Sequence, residues 1–81
     1  MSKGVTKVGA AIAAFAEKEI GFYPNAGFFL RGQNTKVTEV EKWCKANIKG
    51  RSGVIKLAWP AILFEYEEDA VHAFLMWGNA E

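Results

Sequence analysis

Eighty-one residues, 51% of them hydrophobic and with a formal net charge of +1, describe one globular domain near the smallest size that a single core stabilises. The single cysteine, Cys44, excludes an internal disulfide and a cysteine-based metal centre, and it favours a reducing compartment. The near-neutral balance argues against a dedicated nucleic-acid binder, and no apolar run is long enough to span a membrane.

The first predicted element is a helix over residues 5–20. Val5, Val8, Ile12 and Phe15 fall near one stripe, with Ala11 between them. Gly21 suits the left-handed position just past a helix end. Gly4 and Gly9 each weaken a helix interior by about 1 kcal/mol relative to alanine. Lys3 and Lys7, a short apolar run and then Ala14-Phe15-Ala16 share the outline of a signal peptide. The run is short and helix-periodic, so an alanine-rich amphipathic helix is the expected reading.

Pro24-Asn25 marks a turn, and Gly27 loosens the chain before a short strand from Phe28 to Arg31. A second helix is expected over 38–49. Thr38 and Glu41 match a capping box, in which each side chain satisfies a free backbone N–H at the helix start. Val40, Trp43, Cys44 and Ile48 share one face, with Lys42, Lys45 and Lys49 away from it. Gly50 sits where a helix-terminating glycine belongs.

Residues 54–59 and 61–66 alternate as strands do. Ile55, Leu57 and Trp59 oppose Val54, Lys56 and Ala58, and Ile62, Phe64 and Tyr66 oppose Ala61, Leu63 and Glu65. Pro60 cannot donate to a ladder and marks the break. An antiparallel pair around Trp59-Pro60-Ala61 is the simplest arrangement. A last helix spans 67–77. Glu67, Glu68 and Asp69 complement its positive end, Ala70, Val71, Phe74, Leu75 and Trp77 make its apolar face, and Gly78-Asn79 stops it. The order α-β-α-β-β-α predicts an α+β fold, a small antiparallel sheet of about three strands covered by helices, in one domain over residues 1–81.

Three patterns bear on chemistry. Gly50 to Gly53, G-R-S-G, has the spacing of the glycine loop with which KH domains clamp a nucleic-acid backbone. That loop joins two helices, whereas here a β-branched alternating run follows, so the two glycines read as a helix end and a strand entry. Cys44 and His72 are the only natural nucleophile and base, but Cys44 shares the apolar face of its helix, where a thiol behaves as a small hydrophobe. Glu65, Glu67, Glu68 and Asp69 supply oxygens for a hard cation, yet lack the spacing of an EF-hand loop, and helix-start charges explain them more simply. No catalytic residue, metal ligand or cofactor is therefore expected, and the chain is read as non-enzymatic.

Charge is unevenly spread. Residues 31–56 hold Arg31, Lys36, Lys42, Lys45, Lys49, Arg51 and Lys56 against Glu39 and Glu41, while residues 57–81 hold five acids and no Lys or Arg. The two halves are expected to neutralise each other on one surface. Three Trp, six Phe and two Tyr are many for so small a core, and surplus aromatics mark interfaces. Phe22 and Tyr23, in a loop, together with Lys49 and Arg51 at a turn, are the expected contacts for a protein partner. The alternative is a single-stranded nucleic-acid binder using segment 31–56, with Lys42, Lys45, Lys49 and Arg51 on phosphates. Surplus aromatics buried between copies would make a homo-oligomer.

"VEKWCKANIKG" and "FEYEEDAVHAFLMWG" resemble a group of small proteins encoded by tailed bacteriophages. The shared features are Trp43, Cys44, Ile48 and Gly50, then Phe64, Glu67 to Ala70, Phe74 and Trp77. The resemblance covers residues 38–78. It implies a viral accessory protein or an inhibitor directed at a host protein, acting in the host cytoplasm, and it carries over no catalytic residue.

Overall fold

The computed structural model describes residues 5–30, 37–56 and 60–78. Within them the order is β1 (Thr6–Lys7), α1 (Ala10–Ile20), β2 (Ala26–Phe29), α2 (Val37–Asn47), β3 (Ser52–Lys56), β4 (Pro60–Phe64) and α3 (Glu67–Ala73), which continues as a π-helical turn, Phe74–Gly78. The strands form one antiparallel sheet in the order β1-β2-β4-β3. The fold is α+β, as the sequence predicts, with one strand more than the expected three.

That extra strand comes from the expected first helix. Thr6 and Lys7 form a strand that pairs with Gly27 and Ala26. Gly9 is extended as well and precedes the helix, which starts at Ala10. The Val8 N–H donates to the Asn25 carbonyl at 3.0 Å, which fixes the strand before the turn into α1. At the other end Gly21 adopts the left-handed conformation (φ 85°), and its N–H donates to the Glu17 carbonyl, as the sequence predicts.

Side chains alternate between two cores. Ala26 and Phe28 of β2, with Ile62 and Phe64 of β4, face α2 and α3. Val40 and Cys44 of α2 and Ala70 and Ala73 of α3 close this larger core, with Trp43 and Ile48 packed at its margin. Phe28 stacks on Phe64, with centroids 5.9 Å apart, and meets Phe74 edge-on at 5.4 Å. Phe64 and Ile62 are fully buried, and each such side chain contributes about 2–3 kcal/mol. The face expected for α2 is the one observed, as is that of Ile62 and Phe64 on β4; that strand ends at Phe64, and Tyr66, expected on the same face, precedes α3 and is 49% exposed.

On the opposite face Ile55, Ala61 and Leu63 meet α1 through Ala16, with Val8 and Ile20 alongside. The expected stripe of α1 is corrected here. Ala13 and Ala16 are buried, whereas Ile12 and Phe15 point outward. Small side chains let the helix lie close to the sheet, and the bulky ones are left behind it.

The strand pair around residue 60 is a hairpin that pairs Lys56 with Pro60. Pro60 opens β4, a position that tolerates its missing N–H. Strand β2 starts at Ala26, two residues earlier than expected, and Gly27 lies inside it. Helix α2 begins at Val37, so Thr38 sits inside its first turn and not before it. The π-helical turn brings Phe74 and Trp77 against the core but leaves Leu75 exposed, contrary to its expected place on the apolar face. The expectations for Lys3, Gly4, Arg31, Lys36, Leu57, Ala58, Trp59 and Asn79 lie outside the described residues.

Candidate functional site

One end of the sheet gathers the expected contact residues. The loop after α1 is anchored there by Asn25, whose N–H donates to the Phe64 carbonyl at 2.9 Å and whose side-chain amide donates to the Glu65 carbonyl at 2.7 Å. The Glu65 N–H in turn donates to the Arg51 carbonyl at 3.0 Å. This places the Phe22–Tyr23 loop beside the Lys49–Arg51 turn.

The Arg51 guanidinium lies 5.3 Å from the centre of the Phe22 ring and donates to both carboxylate oxygens of Glu65, at 3.3 and 3.2 Å. The bonds from Arg51 hold the Glu65 carboxyl below its ordinary range. The same bonds push the guanidinium of Arg51 further up. At this solvent-exposed site the pair adds little stability. It does pair one cation of the basic segment with one acid of the acidic end.

Phe22 is buried, with 4% of its surface exposed, so the expectation that the core does not reach it is overturned. Arg51 covers its face, and it offers no ring to a partner or a base. Tyr23 is 46% exposed. Lys42, Lys45 and Lys49 are all exposed.

The turn itself is held by a residue that sequence reasoning assigned to another task. Asp69 is buried (4% exposed). Its carboxylate accepts from the Lys49 N–H at 3.2 Å and from the Gly50 N–H at 2.8 Å. The backbone donors that a phosphate-binding glycine loop would present are thus turned onto the chain's own carboxylate. Neither Gly50 nor Gly53 has a positive φ; among the described residues Gly21 alone does. Gly50 is needed for space. A Cβ there would lie 2.5 Å from the Tyr66 ring. Gly53 lies within β3 and makes room for Ile20 of α1. The clamp reading therefore fails on geometry as well as on order.

The acids do not converge. Glu65 binds Arg51, Asp69 is buried, and Glu67 and Glu68 are exposed on the first turn of α3. Among the described residues no three His, Cys, Asp or Glu side chains are placed to share a cation. Cys44 is wholly buried. Burial pushes its thiol up to about 11, against the lowering effect of a hydrogen bond with Ser52. At neutral pH it is a thiol, not a thiolate. His72 packs edge-on against Trp43, with ring centres 5.0 Å apart. We expect the native protein to resist a disulfide-exchange reagent at pH 7 and to react fully once denaturant is added. Rapid labelling of the folded chain would show that the α2 face opens.

A second surface has no counterpart among the expected contacts. Residues 10–16 of α1 carry no polar side chain, yet only Ala13 and Ala16 of them are buried. Ile12 is 49% and Phe15 57% exposed, and Phe29 on β2 is 41% exposed. Between helix and sheet runs an apolar groove of about 140 Å³, lined by Val8, Ile12, Gly27, Phe29 and Leu63 among others. A helix that is apolar all round normally lies buried on every side. The signal was present in "GAAIAAFA", since a helix that covers one sheet face must turn part of such a run outward. Among the described residues no helix is long and apolar enough to cross a membrane. No protein-family model matches the chain, and no curated protein or solved structure matches it either.

Proposed function

We propose that this protein is a small, non-catalytic protein-binding module whose contact surface is the open face of α1 and β2. The observation that carries this reading is the apolar groove with Ile12 and Phe29 in its lining, together with the exposed Phe15 on the same helix as Ile12. Aromatic and aliphatic side chains at the centre of a surface supply most of the energy of protein association. The partner that fits is a protein presenting an apolar helix or loop, whose side chains enter the groove beside Phe29. Tyr23 and Lys49, at the polar end, supply a rim. The resemblance of residues 38–78 to small phage proteins supports a host or virion protein as that partner. The test is retention of a bacterial protein by the immobilised chain. Phe15→Ser combined with Phe29→Ser should abolish retention of whatever the unmodified chain retains while the chain still folds, with a melting midpoint lowered only through Phe29, because Phe15 is 57% exposed and Phe29 41%. Retention that survives this change but is lost in Tyr23→Ala would move the contact to the polar end and overturn the assignment.

A further inference from the structure

The sheet has two edges, and they are built differently. β1 offers two residues and then turns away at Gly9, a short edge of the kind that discourages pairing. β3 offers five residues, Ser52–Lys56, in unbroken register with β4.

The direction of its backbone groups follows from the ladder. The Glu65 N–H donates to the Arg51 carbonyl, and the Leu30 N–H donates to the Pro60 carbonyl. Alternation along β4 therefore points residues 61, 63 and 65 at β3 and residues 60, 62 and 64 at β2. On β3, Arg51, Gly53 and Ile55 face β4. The N–H and C=O groups of Ser52, Val54 and Lys56 face away from the sheet. Among the described residues, no turn, cap or side-chain hydrogen bond reaches them. No proline or bulge interrupts this edge, and its only charge is Lys56.

We propose that β3 pairs antiparallel with β3 of a second copy, about a two-fold axis at Val54, to give one continuous eight-stranded sheet. The strand is self-complementary in that register. Val54 meets Val54 of the partner subunit, both as hydrogen-bonded partners. Ser52 meets Lys56 of the partner subunit, so the one charge on the strand is never opposed by its like. Six main-chain hydrogen bonds follow from these three pairs, two for each. The two α1 helices then share one face of the joined sheet and the α2 helices the other. This assembly is independent of the α1–β2 face assigned above to a protein partner.

The test is mass in solution across a concentration series, joined to amide exchange. The chain should pass from its monomer mass of 9.0 kDa to twice that value. The amides of Val54 and Lys56 should slow on the order of tenfold over the same range, while those of Gly53 and Ile55 stay protected throughout. Lys56→Pro removes an outward donor and no bond of the ladder, so it should restore the monomer with the fold intact. A chain that stays at 9.0 kDa overturns the proposal, as do Val54 and Lys56 amides whose exchange ignores concentration. So does a dimer that survives Lys56→Pro but is lost in the Phe15→Ser, Phe29→Ser variant, because the copies would then meet through the open α1 face.

Discussion

Asp69→Ala should cost about 3 kcal/mol of folding stability, read as a fall in the denaturant midpoint at constant slope. The carboxylate is buried and accepts two backbone N–H groups, from Lys49 and Gly50. Alanine would strand both donors and leave a small void between the turn and α3. A domain of this size has only about 5 kcal/mol or somewhat more to lose, so much of the variant should be unfolded at 37 °C. Asp69→Asn keeps the shape and one acceptor but sets an amide N–H against a backbone donor, and its loss should be about half as large. If both variants kept the parent midpoint, water would be replacing the carboxylate and the turn would not depend on it.

Gly27→Ala should be nearly as damaging, at about 2–3 kcal/mol. A Cβ at position 27 would stand 2.5 Å from the Ile62 carbonyl oxygen and 2.6 Å from Leu63 Cδ2. The carbonyl belongs to β4, the strand held on both sides by β2 and β3, so relief requires a shift of the sheet itself. Gly9→Ala is the matched control. Nothing lies within 4 Å of the added methyl, and that variant should melt with the parent. Equal midpoints for the two variants would show that β2 rides loosely on β4.

Two kinds of element are legible in the sequence: a helix with one apolar and one basic side, and a short apolar run bounded by proline and charge. Val40, Trp43, Cys44 and Ile48 define one side of α2 because lysines occupy the other. Ile62 and Phe64 against Ala61 and Leu63 show a strand buried on both faces; Pro60 marks the break before it but allows a hairpin or a kinked single strand, and the pairing of β3 with β4 decides for the hairpin. For α1 the sequence predicts the correct C-terminal end, but the helix starts five residues later than expected, at Ala10, and is turned the other way. Over residues 10–16 every side chain is apolar, so periodicity carries no phase, and the close approach allowed by Ala13 and Ala16 decides the side. β1 was illegible because a two-residue strand exists only by virtue of Gly27 and Ala26, which lie some twenty residues further along.

The polar end was half legible. The sequence shows its basic residues and the Phe22–Tyr23 loop, and of these Arg51 meets Phe22. Their engagement was not seen. The partners of Asp69 are main-chain N–H groups, which no residue letter records, and the cover over Phe22 is a guanidinium brought in by β3. The exposure of Phe29 depends on which half of the sheet α1 covers, a property of three dimensions only.

The position of β4 inside the sheet has a consequence for a chain made from its N-terminus onward. β2 joins the sheet only through β4 and through the two residues of β1, and β3 joins it only through β4. Until residues 60–64 have emerged, everything synthesised before them lacks the strand that unites it, and α1 has no finished sheet on which to rest. From the emergence of α1 until that of residues 60–64, the nascent chain therefore carries this apolar helix without the sheet on which it rests.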